Sequence, residues 1–162
     1  MMFSPHGERE NENPYKSLRL QALRASRQSF EISPATSQNQ PWAAIMDWGI
    51  ADDTITVVAL CDGSASVYMS RGGGSIGGRS SNSIRAAALS AVSAASEVWK
   101  EMQPVTEYPL PGADNVTFYV RTDTGIVGEG VSVEEVSSGD HRLSKLGNAM
   151  QIIITRYREL ES

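Results

Sequence analysis

Apolar residues are sparse over residues 1–41 and dense after them. Residues 1–14 are polar, charged and broken by Pro5, Gly7 and Pro14. Too little apolar surface is present there to offset the entropy lost on ordering, which predicts a disordered tail. Residues 15–30, YKSLRLQALRASRQSF, permit a helix with Leu20, Leu23, Arg27 and Phe30 along one face and Leu18 and Ala22 beside it. That stripe is thin and rich in arginine, so it predicts a helix that packs weakly or docks Leu20, Leu23 and Phe30 into a partner's groove. Residues 31–41, EISPATSQNQP, cluster the residues of a linker. The organisation expected is therefore a tail (1–14), an N-terminal helix and linker (15–40) and one α+β domain (41–162).

Within that domain the period changes to two. WAAIMDW (42–48) reads as extended, with Trp42, Ala44, Met46 and Trp48 on one side and Ala43, Ile45 and Asp47 on the other. TITVVAL (54–60) is apolar on both faces and β-branched, the pattern of a central strand. Asp62-Gly63 is a hairpin signal, because tight turns favour residues that tolerate positive φ, and SASVYMS (64–70) is the returning strand. VTFYVRT (116–122) and IVGEGVSV (126–133) form a second strand pair around Asp123-Thr124-Gly125, with Gly128 and Gly130 marking a bulge.

Two segments carry a helical stripe. In 81–102 it runs through Ile84, Ala87, Ala88, Ala91, Ala95, Val98, Trp99 and Met102. Ser80, Ser81 and Asn82 can each cap this helix, and Pro104 ends it. Its alanines allow close approach to a sheet. In 141–160 the stripe is Leu143, Leu146, Met150, Ile153, Ile154, Tyr157 and Leu160, behind Asp140 as N-cap. Consecutive strands favour a hairpin-built antiparallel sheet over a parallel one. The fold class expected is α+β: a five-stranded, mostly antiparallel sheet flanked by two long helices, with an extra N-terminal helix.

That element order over residues 42–160 resembles the roadblock/longin and profilin-like folds, in which a helix is inserted into a five-stranded antiparallel sheet. The resemblance is topological and rests on no shared motif. It implies an adaptor-like, homodimeric module. MDWG (46–49), GGGSIGG (72–78) and YPLP (108–111) also resemble stretches of small bacterial proteins of no assigned function.

Composition narrows the function classes. The formal net charge of −5 opposes non-specific binding to nucleic acid, which needs many phosphate-neutralising side chains. Cys61 is the single cysteine, so no internal disulfide and no thiolate-rich zinc site can form from this chain. No apolar run approaches the ~20 residues of a membrane helix, and residues 1–14 lack the apolar core of a secretory signal. The expectation is a cytoplasmic protein with neither membrane nor nucleic acid among its partners.

Chemistry-bearing residues are few. RGGGSIGGR (71–79) leads into the helix capped at Ser80–Asn82. Backbone N–H groups at a helix N-terminus attract anions, so Arg71, Gly72, Gly73, Gly74, Gly77, Gly78, Arg79, Ser80 and Ser81 form a candidate phosphate or carboxylate site. The alternative is a plain strand-to-helix connection: the loop lacks the Gly-Lys-Ser/Thr ending of a P-loop, and its G-x-G-x-x-G match lacks a βαβ context. Asp52-Asp53 and Glu134-Glu135 read as solvated charges, since adjacent strand residues point apart. Asp47, on an apolar strand, needs a hydrogen-bond partner if buried. His6 and His141 fit no metal spacing. Neither a catalytic group nor a cofactor is assigned. The leading expectation is a non-catalytic, homodimeric interaction module; the alternative is a small-ligand or phosphate-binding protein, or an enzyme, built on residues 71–79.

Overall fold

The computed structural model describes residues 13–32, 40–75 and 81–161. The tail expected over residues 1–12, the linker residues 33–39 and loop residues 76–80 lie outside them. The class is α+β. Five long strands form where the two-residue period placed them: β1 (Ala43–Ile50), β2 (Asp53–Leu60), β3 (Ala65–Met69), β6 (Asn115–Thr122) and β7 (Gly125–Ser132). Two strands of two residues, β4 (Gly74–Ser75) and β5 (Gln103–Pro104), extend the sheet at its margins. The order is β4-β3-β2-β1-β6-β7-β5, antiparallel throughout. Pro104 is tolerated because β5 is an edge strand, where one missing N–H leaves no ladder partner unsatisfied.

β6 and β7 pair without interruption from Asn115↔Ser132 to Thr122↔Gly125, so the bulge expected at Gly128 and Gly130 is absent. Gly128 has a steric reason instead. It lies opposite Tyr119, and a Cβ there would stand 3.0 Å from the Tyr119 ring.

The helices divide between the two faces of the sheet. α1 (Tyr15–Arg24) lies on one face; α2 (Asn82–Val98), the short α3 (Val133–Ser137) and α4 (Ser144–Glu161) lie on the other. The two long helices thus pack side by side on one face rather than enclosing the sheet between them. Ser81 caps α2, its hydroxyl accepting the Ile84 N–H at 3.4 Å. α2 stops at Val98, well before Pro104, and a single 3₁₀ turn (Trp99–Glu101) carries the chain to β5. α3 was not foreseen. Ser132 starts it by accepting the Glu135 N–H at 3.0 Å, which places Glu134 and Glu135 in a helical first turn. α4 begins at Ser144, three residues after the expected start.

The core against α2 and α4 takes Ala44, Met46, Val57, Val67, Phe118 and Val120 from the sheet. Ala88, Ala91 and Ala95 are fully buried against it, as the alanine stripe anticipated. The second core lies under α1 and takes Ala43, Ile45, Val58, Leu60 and Tyr119. Trp42 belongs to this second layer and not with Ala44 and Met46, because it precedes β1 and escapes its alternation. Its ring packs 5.8 Å from Phe30. No described helix is long and apolar enough to cross a membrane.

Candidate functional site

α1 turns inward a face different from the expected one. Tyr15, Arg19, Ala22 and Leu23 are buried, at the i, i+4, i+7, i+8 spacing of a helical stripe. Of the three residues expected to meet a partner, Leu23 is in the core, and Leu20 and Phe30 are half-buried. The single helix foreseen over 15–30 breaks at Ala25, which is extended; a separate 3₁₀ turn, Arg27–Phe30, starts on Ser26. Phe30 therefore does not continue the Leu20–Leu23 line.

What holds α1 is polar. Asp47 is fully buried on β1, and its Oδ2 accepts from Arg19 Nε at 3.1 Å and Nη2 at 2.7 Å. Thr56, its cross-strand neighbour, donates to Oδ1 at 2.6 Å. The Tyr15 hydroxyl shares a 2.7 Å hydrogen bond with Thr56, and Arg19 Nη2 reaches the Tyr108 carbonyl at 2.8 Å. Burial works against the Arg19 charge, but the hydrogen bond and charge of Asp47 prevail and raise its pKa. Arg121, over the Trp42 ring at 4.6 Å, donates to the carbonyls of Ala22 and Ala25 at the helix C-terminus, and burial lowers its pKa. The partner that a buried Asp47 requires is thus Arg19. Helical patterning gives no sign of this pairing.

Tyr119 lies beside this network. Its hydroxyl is buried near Arg19 and Asp47 yet outside hydrogen-bond geometry. Burial first, then the Asp47 charge, pushes its pKa up to about 12.

The glycine loop is described in part. Gly77, Gly78, Arg79 and Ser80 fall outside the described residues. Gly72, Gly73 and Gly74 all have positive φ, and a Cβ at Gly74 would strike the Val67 carbonyl. The glycine at 74 therefore serves the close pairing of β4 with β3. Arg71 is exposed, and its N–H donates at 3.1 Å to Asp53 Oδ1, which also accepts from the Thr54 N–H and the Ser70 hydroxyl. These hydrogen bonds outweigh burial and lower the Asp53 pKa. A carboxylate so placed weighs against an anion beside Arg71. Ser81 spends its hydroxyl on the helix cap.

A groove of about 460 Å³ opens elsewhere, between α3, α4 and the sheet. Its floor is Met46, Val116 and Phe118; Val136 forms one wall, and Asn148 and Gln151 the other. Alternation places Met46, Val116 and Phe118 on one face, but only α3, absent from the expected elements, makes that face a groove. Cys61 is half-buried and its thiol pKa is raised by burial and by Asp62, the opposite of nucleophilic activation. No family model, curated protein or solved structure matches this chain.

Proposed function

We propose that the chain is a non-catalytic protein-interaction module that self-associates. The observation that carries this reading is the outward side of α2. Ala86, Leu89, Ser90, Ser93 and Ser96 are exposed on it, Leu89 by 41%, and no charged residue occurs between Arg85 and Glu97. A helix facing only water ordinarily carries charge on that side. α4, its neighbour, does so with Lys145, Arg158, Glu159 and Glu161. Between the two helices lies a shallow trough lined by the small residues Ser83, Ala86, Ser90 and Ala149 and by Ile152, together with the paired Arg156 and Glu159 of α4. Such surfaces let a second helix approach closely. The resemblance of the element order to adaptor-like folds supports the same reading, and a cytoplasmic setting goes with it.

Light scattering over a micromolar concentration series tests the proposal. The expected result is a dimer that Leu89→Arg converts to a monomer with unchanged circular dichroism. A strict monomer at every concentration removes self-association from the reading.

A further inference from the structure

The connection from β5 to β6 carries Tyr108-Pro109-Leu110-Pro111 and is held at both ends. At one end the Tyr108 carbonyl accepts from Arg19 Nη2 at 2.8 Å, and the Tyr108 ring meets Tyr119 edge-on at 5.8 Å. At the other, the Gly112 carbonyl accepts the Asn115 N–H at 3.1 Å, and the Asp114 N–H donates to the Gly49 carbonyl at 3.1 Å. Between these anchors, no hydrogen bond among the described residues engages Pro109, Leu110 or Pro111. Proline fixes its own φ and disfavours a helical residue before it, so Leu110 is held extended. Its side chain is 50% exposed, more than any other large apolar residue of the described chain except Leu160.

This segment walls a shallow recess of about 510 Å³. The floor is the cross-strand pair Thr117 and Gly130, on the sheet face that carries Tyr119. Gly130 has no local reason to be glycine: its φ is not positive, and a Cβ there would meet nothing nearer than 3.8 Å. What its bare backbone does is keep the floor open beside Leu110. The polar side chains of the recess are largely spent within the chain. Asn115 donates to the Ala113 carbonyl at 3.1 Å. Ser132 caps α3 and donates to the carboxylate of Glu135, the one charged lining residue. The surface left on offer is two proline rings, a leucine, the Thr117 side chain and a bare glycine floor.

We infer that a partner protein reads this surface through aromatic side chains, one ring lying over Gly130 against Leu110 and others packing on Pro109 and Pro111. Proline-rich segments dock into aromatic-lined grooves, and a segment already extended loses little freedom on docking. A polar small molecule would find few free hydrogen-bonding groups here. The inference rests on the interaction-module reading and adds a second, different partner, on a surface away from α2.

NMR on the isotope-labelled full chain tests it, with N-acetyl-tryptophanamide and N-acetyl-leucinamide as probes. The tryptophan probe is expected to shift the Leu110 methyls and the amides of Thr117 and Gly130, while the leucine probe leaves them in place. Gly130→Val fills the floor without a clash, so it should abolish those shifts with circular dichroism unchanged. Pro109→Ala with Pro111→Ala should weaken binding roughly fivefold, the scale of one lost aromatic contact. Equal shifts by both probes, no shift up to the solubility limit, or binding that survives Gly130→Val overturns the inference. Leu110 and Gly130 signals that move with the concentration of the chain alone assign the surface to a second copy and overturn it too. Leu89→Arg separates this surface from self-association. Shifts that persist in that variant support the inference whatever the oligomeric state, and a silent recess in a chain that still dimerises refutes this inference alone.

Discussion

Arg19 grips Asp47 through two hydrogen bonds to a single carboxylate oxygen, and the pair lies beneath a helix that buries few apolar side chains. Removing the arginine leaves a fully buried carboxylate with Thr56 as its remaining side-chain partner. Breaking one side of such a pair costs about 3–5 kcal/mol, whereas exchanging both partners for apolar groups is often neutral or stabilising. Arg19→Met is therefore expected to lower the urea midpoint sharply. Arg19→Met with Asp47→Leu should recover much of the loss. A double variant no more stable than the single one would show that the arginine acts chiefly through its contacts with Tyr108 and the helix.

The unpartnered hydroxyl of Tyr119 makes two linked predictions. Replacing a buried, unsatisfied hydroxyl by hydrogen removes a desolvation cost, so Tyr119→Phe should be neutral or stabilising by about 1 kcal/mol at pH 7. The second concerns alkaline pH. The native group titrates at about 12, above the value of about 10 for an unfolded chain. Between these values the unfolded state releases a proton that the folded state retains. Stability is thus complete below pH 10, falls as pH rises toward 12 and then levels off, a loss of at most about 3 kcal/mol from this group. Urea midpoints at pH 9 and pH 11 should show a smaller alkaline loss in Tyr119→Phe than in the parent chain. Equal losses would assign the effect to Tyr15 and Tyr68, whose pKa values burial also raises.

The elements most legible in the sequence are those whose neighbours in space are near in the chain. Alternation marked β2, Asp62-Gly63 marked the turn after it, and the alanine stripe of α2 named Ala88, Ala91 and Ala95 as buried. Long-range pairings left no such trace. Arg19 and Asp47 are 28 residues apart, and a buried arginine resembles any surface arginine until its partner is known. The groove was illegible for a related reason: Met46, Phe118 and Val136 come from three distant elements, one of them a five-residue helix too short for periodicity. The buried face of α1 differs from the expected stripe because that stripe runs on through Ala25, where the helix has already ended.

Gly49 explains how the segment before β6 is held. A Cβ on Gly49 would overlap the Gly112 carbonyl, and the backbone of Asp114 donates to the Gly49 carbonyl at 3.1 Å. The clash is with backbone, which cannot rotate aside. Gly49→Ala should therefore cost about 1–3 kcal/mol by overpacking, although its φ is ordinary for alanine. Thermal melts check this, with Gly139→Ala as a comparison in which positive φ gives strain but no atom lies within reach. A Gly49→Ala melt equal to that of the parent would mean that residues 109–114 shift freely.

Removing residues 1–40 separates a detachable arm from an integral layer. An arm that served only a partner would leave the body folded and as stable as before. Here α1 covers Ile45, Val58 and Tyr119, and Ile32 and Phe30 complete the same cluster around Trp42. Truncation would expose these side chains together, each worth roughly 1.5–3 kcal/mol when fully buried, against a typical domain stability of about 5–15 kcal/mol. It would also leave Arg121 without the Ala22 and Ala25 carbonyls. The chain beginning at Pro41 is therefore expected to bind a hydrophobic dye and to lose its cooperative urea transition, or to aggregate. A truncated chain that melts cooperatively near the parent temperature would instead make α1 a separable arm, and Leu20, Leu23 and Phe30 would again be its partner-facing residues.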